Sequence, residues 1–231
     1  GLEVVVTAAP RRKLDIGIGA DNLGSWELGR ESASLRIDAN SFTRFGERTS
    51  LVLYSSFGGE QKVGQLLGEV RLGASGWVAF GDYSQGRSQP GGALEVLELD
   101  GESKVARLGA RYPWIKTRAM SLDVGARMEA IDQTNDVGFL RAFGFGDIPL
   151  LDEQLRVLAL NADARWQRMG TGLSAHASLE VRKGLSMWGA SDAGDALLSR
   201  ADGDPEFVSA KLGLGARWSR DPSAVTSPPR S

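Results

Sequence analysis

The stretch that decides the fold is Val208-Ser209-Ala210-Lys211-Leu212-Gly213-Leu214-Gly215-Ala216-Arg217-Trp218. Val208, Ala210, Leu212, Leu214, Ala216 and Trp218 share one parity, while Ser209, Lys211 and Arg217 take the other. Successive side chains of an extended chain point to opposite faces, so a period of two predicts a strand with one apolar and one polar side. Gly213 and Gly215 fill the remaining polar-side places.

The same pattern recurs towards the N-terminus. Leu14, Ile16, Ile18 and Ala20 alternate in the first copy, and Ala33, Leu35, Ile37 and Ala39 oppose Ser34, Arg36, Asp38 and Asn40 in the second. Later copies set Leu66, Val70 and Leu72 against Glu69 and Arg71, and Ala106, Leu108, Ala110 and Tyr112 against Arg107 and Arg111. Leu122, Val124, Ala126 and Met128 then oppose Asp123, Arg127 and Glu129. Leu158, Leu160, Ala162 and Ala164 oppose Asp163 and Arg165, and Ala175, Ala177, Leu179 and Val181 oppose His176, Glu180 and Arg182. The reading predicts ten strands, near 13–21, 33–40, 48–57, 66–72, 77–85, 94–114, 120–129, 158–166, 173–182 and 208–218. Ile131 to Glu153 reads as a long connection with short structure of its own, and Leu2 to Thr7 as a short strand before the repeat.

Composition narrows the class. The 231 residues suit one all-β barrel or sandwich. Charged residues make up 24% of the chain, and no run nears the roughly 18 apolar residues of a membrane helix. A net charge of -2 gives no reason to expect a nucleic-acid partner, and the absence of Cys excludes a disulfide framework or a thiolate metal site. Gly1-Leu2-Glu3 has no signal-peptide features, so any leader is expected to be removed or to lie outside this sequence.

Alternation alone does not say which face meets lipid, since a soluble sandwich or lipocalin-like barrel has the same period with its apolar side inward. Two features favour a transmembrane barrel. Turns expected to be short, near 44, 74, 116 and 171, interleave with loops expected to be longer, near 60, 88, 140 and 198. Trp77, Trp114, Trp166 and Trp218 collect at the short-turn ends, with Trp26 and Trp188 at the opposite ends. Two levels of amphipathic rings are what an interfacial girdle needs. The expected fold is therefore all-β, an antiparallel transmembrane β-barrel in a bacterial outer membrane.

Four segments, in order, resemble the transporter barrel of the two-partner secretion family, the haemolysin secretion/activation proteins. They are Leu2-Glu3-Val4-Val5-Val6 with Ile16 to Ser25, Asp100 to Ser103 with Tyr112-Pro113-Trp114-Ile115, Gly184 to Ala190, and Asp202 to Phe207. In the first, Leu23 stands where the family has an aromatic residue. The resemblance implies a sixteen-stranded barrel, of which this chain carries about the first ten strands. It also implies export of an unfolded partner exoprotein of haemolysin or adhesin type, without a cofactor, by a barrel that is monomeric. Residues 1–12 are then the end of a periplasmic segment, 13–220 the barrel strands and 221–231 a disordered or truncated tail. The family's periplasmic modules and the Val-Arg-Gly-Tyr motif of its inward loop have no counterpart in this sequence, so the roles attached to them are not carried over.

With the apolar side against lipid, the expected pore lining is Arg36, Asp38, Glu69, Arg71, Arg107, Arg111, Asp123, Arg127, Glu129, Asp163, Arg165, Glu180, Arg182, Lys211 and Arg217. The plainer reading of each is a cross-strand charge pair that stiffens the wall. His176 reads as an ordinary polar-face residue, because one histidine without carboxylate or thiolate partners is a poor metal site. Asp202, Asp204 and Glu206 lack the spacing of a calcium loop, and Gly144-Phe145-Gly146 lacks the helix that follows a phosphate-binding turn. No nucleophile or metal-hydrolase motif is present, so no enzyme is expected. The rival functions are a general porin-like channel and a soluble β-barrel or sandwich that binds an apolar ligand.

Overall fold

A computed structural model describes residues 12–140, 144, 146–168, 172–191, 195, 197–199 and 204–218. The expected strand Leu2 to Thr7, most of the 1–12 segment and the 221–231 tail lie outside the described residues. Ten strands follow one another: β1 (Leu14–Asp21), β2 (Ser32–Asn40), β3 (Arg48–Ser56), β4 (Gln61–Leu72), β5 (Trp77–Ser88), β6 (Leu99–Lys116), β7 (Met120–Val137), β8 (Ile148–Arg168), β9 (Leu173–Gly184) and β10 (Val208–Trp218). Each pairs antiparallel with the next, giving a single sheet in sequence order. Among the described residues β1 and β10 are not paired to each other, so the sheet is not closed.

Register carries one face from edge to edge. Ile16 opposes Ile37, Ile37 opposes Leu51, and Leu51 opposes Leu66. Leu108 opposes Met128, Met128 opposes Leu158, and Leu179 opposes Leu212. This face does not pack into a core. Ile18 is 83% exposed, Leu108 71% and Leu214 73%, while Val137, Val157, Ala159 and Leu198 are the buried apolar residues among those described. Apolar surface on this scale needs a non-aqueous neighbour. Its height fits a membrane: the runs from Met120 to Ala130 on β7 and from Leu158 to Trp166 on β8 match the roughly 9–11 residues of a transmembrane strand.

β2 leads to β3, β4 to β5, β6 to β7 and β8 to β9 at one end of the sheet, and β1 to β2, β3 to β4, β5 to β6, β7 to β8 and β9 to β10 at the other. The expected asymmetry in length is present with one exception. The loop near 60 is only Phe57 to Glu60, closed by Gly59 at φ 87° and its N–H to the Ser56 carbonyl.

Two other expectations are corrected. Leu94 to Leu97, read as the start of β6, belong to a 3-10 turn, Gly92–Leu97, because Pro90-Gly91-Gly92 breaks the ladder and Gly92 turns at φ 61°. Ile131 to Glu153 is not a long connection, since β7 runs on to Val137 and β8 begins at Ile148. Above the apolar band both faces of β7 are polar, from Asp132 to Asp136, so the alternation fades while the backbone ladder continues. Bulges at Trp114 and Leu150 add one residue each to β6 and β8.

Candidate functional site: the polar face of the wall

Register places all fifteen expected lining residues, named above from Arg36 to Arg217, on the face opposite the apolar band. Their side chains are joined mainly in the middle of the sheet. On β7, Glu129 accepts from Arg127 at 2.7 Å and from Arg182 of β9, and Arg107 of β6 lies 3.8 Å away. Arg127 also donates to Glu180 of β9 at 2.8 Å. Glu129 is the centre of this group, and its side chain is 4% exposed. Arg107 pairs with Asp82 at 3.0 Å, Arg111 with Glu69 at 2.6 Å, and Arg36 with Asp38 at 2.7 Å, where Ser50 also donates to Asp38.

Arg71, Asp123, Asp163, Arg165, Lys211 and Arg217 share the face but form no ion pair among the described residues. They lie towards the short-turn end or on the edge strand β10. Asp163 opposes Asp123 and accepts from Asn161 at 3.3 Å. His176 stands opposite Arg165 on one side and Gly215 on the other, and its ring fills the space a side chain at Gly215 would need. No metal-binding cluster occurs among the described residues.

Asp82 was missed by sequence reasoning. Its parity on β5 is obscured because the bulky Val78 and Phe80 also point to the polar side. Phe80 lies over Gly109, the one residue there small enough to admit its ring, with the Arg111 guanidinium 6.0 Å from the ring centre.

Trp77, Trp166 and Trp218 sit on the apolar face at the short-turn end, Trp77 opposite Leu72, Trp166 opposite Met120 and Trp218 opposite Leu173. Trp77 packs on Tyr112 with ring centres 5.0 Å apart. Trp114 is the extra residue of the β6 bulge, while Trp26 and Trp188 lie in connections at the other end.

A sheet with one lipid-height apolar face and one charged, cross-paired face defines a transmembrane β-barrel wall. The chain belongs to the family described as haemolysin secretion/activation protein ShlB/FhaC/HecB, whose model matches residues 1–226. That family is one of outer-membrane proteins of Gram-negative bacteria, and the chain is an outer-membrane protein. Among solved structures it is similar to CdiB from Escherichia coli, with a TM-score of 0.72 and 13% identity. That likeness covers 90% of this chain and 38% of that one, so the chain spans well under half the length of this structural relative. No protein of curated function matches the chain.

Proposed function

We propose that the chain forms part of the wall of an outer-membrane conduit through which an unfolded partner exoprotein, of haemolysin or adhesin type, is exported. The observation that carries this reading is the polar face itself: in a member of this family, its central charges cancel in cross-strand pairs. Such a surface offers a passing polypeptide many weak contacts and no deep well, and a conduit needs to release what it admits. The fifteen residues from Arg36 to Arg217 line the pore, and the six tryptophans hold the wall at the two interfaces. Unpaired edges are costly in hydrocarbon, so further strands meet β1 and β10 to complete a sixteen-stranded monomeric barrel.

Because the chain has no Cys, site-specific crosslinking tests this directly. Single substitutions Asp163→Cys and Lys211→Cys on the polar face, and Leu160→Cys on the apolar face, are introduced into the full-length protein. A partner polypeptide is then stalled during export by a folded domain at its end. Crosslinks to the stalled chain are expected from the two polar-face positions only. Steady small-solute conductance with no crosslink from either would favour the porin-like alternative.

A further inference from the structure

At the long-connection end, three connections are sewn into one platform. The Gly91 N–H donates to the Glu27 carbonyl at 2.8 Å, Gln89 to the Glu60 carbonyl at 2.7 Å, and Phe57 to the Glu31 carbonyl at 2.9 Å. Gly29, at φ 85°, backs directly onto Ser56 and the Glu60 carboxylate, leaving no room for a side chain. The platform borders an open depression of about 410 Å³ lined by Asn22, Trp26, Arg30, Glu31, Phe57 and Glu60.

The lining has a definite chemistry. Trp26 is 74% exposed and Phe57 66%; the Arg30 guanidinium covers one face of the Trp26 ring, 5.0 Å from its centre, and leaves the other face open. The side chains of Asn22, Arg30 and Glu31 make no hydrogen bond among the described residues, and one Glu60 oxygen is engaged by Ser56 at 2.6 Å. Two carboxylates against one guanidinium repel an anion. The Arg30 guanidinium and the absence of a metal-ligand cluster among the described residues oppose a metal ion. An apolar ligand would leave the surrounding polar groups unpaired. An aromatic face beside amide, guanidinium and carboxylate groups suits a neutral, polyhydroxylated ligand whose apolar flat face stacks on the ring while its hydroxyls pair with those groups.

We infer that this depression binds a hexose unit of a saccharide. The site faces the side on which bacterial membrane barrels carry their longer loops, the cell exterior. Two saccharides meet it there: the sugar headgroup of outer-leaflet lipid and a free glycan. The site goes beyond the export reading and does not depend on it.

The test is calorimetric titration of the full-length protein in detergent with deacylated core oligosaccharide, with maltotriose and with inorganic phosphate. Trp26→Ala and Trp26→Phe variants are first checked for heat-modifiable folding. Saturable binding of core oligosaccharide, weakened about tenfold or more by Trp26→Ala and largely restored in Trp26→Phe, is expected. Binding of maltotriose alone with the same dependence would also support the site, with a free glycan as its ligand. Absence of binding by either sugar, binding indifferent to Trp26→Ala, or saturable phosphate binding lost in Arg30→Gln would each overturn it.

Discussion

Arg182 on β9 donates to Glu129 on β7, reaching across the full width of β8. Arg127 on β7 crosses β8 in the opposite sense to reach Glu180 on β9. Strands are about 4.8 Å apart, so each bridge spans roughly 10 Å and leaves little space beneath it. The β8 residues under the bridges are Val157 and Ala159, both completely buried, and Asn161. β7 and β9 are thereby tied to each other by side chains across the β8 strand that their backbone ladders share.

The bridges make Glu129 and Ala159 sensitive positions. Removing one member of a buried charge pair leaves its partners uncompensated, so Glu129→Ala should cost about 3 kcal/mol. Ala159→Leu should also destabilise the sheet, by displacing the arginines that pass over it. Urea unfolding followed by heat-modifiable mobility measures both. Additive effects of Glu129→Ala and Arg182→Met would contradict a direct interaction between the two residues.

The apolar face makes an opposite demand. An Arg in place of Leu160, at mid-height of the apolar band, should cost roughly 2–4 kcal/mol in a lipid-inserted fold, and in place of Leu122, close to the Trp166 level, less. At Asp123 the same substitution should be tolerated, since that position faces Asp163 on the polar side. Equal tolerance at the three positions would sink the lipid-facing assignment.

Acid should loosen the turn between β3 and β4. The Ser56 hydroxyl donates to the Glu60 carboxylate and accepts from the Gln61 N–H at 3.0 Å, and the Ser56 hydrogen bond holds the Glu60 carboxyl below the usual carboxylate range. A depressed folded value means that the stabilisation is complete above about pH 4.3, the ordinary Glu value, and is lost as pH falls through the lower folded value. Amide exchange at Gln61 should therefore lose protection on acidification, and Glu60→Gln should flatten that dependence.

The connection after β9 depends on a guanidinium. β8 outlasts β9, and segment 185–191 continues beside it, with Leu185 donating to the Arg156 carbonyl at 2.8 Å and Ser191 to the Gln154 carbonyl at 2.9 Å. The Arg156 side chain donates to the Trp188 carbonyl at 3.2 Å and to Asp132 at 2.6 Å. This holds Trp188 in a left-handed backbone (φ 52°), which costs a bulky residue about 1–3 kcal/mol. Arg156→Met should speed limited proteolysis of the connection by at least about tenfold with the strands left intact. Unchanged cleavage would show that the ladder to β8 suffices.

The strands of the apolar band, and the face of each residue along them, are legible in the local pattern, because a period of two is a property of the extended chain itself. β10 came out at the residues expected, Val208 to Trp218, and the fifteen charged positions fall on one face for the same reason. Where both faces turned polar, beyond Ala130, or where bulky residues crossed sides, as at Phe80, the local signal failed and β7, β8 and Asp82 were misjudged or missed. Which charges meet is set by how the strands pair. Arg182 finds Glu129 rather than a group on the adjacent β8 because register sets Ala159 beside it, and register arises from strands pairing with one another. The same holds for the platform around Trp26, whose parts are distant in sequence and converge only because the ladder brings three connections to one end of the sheet.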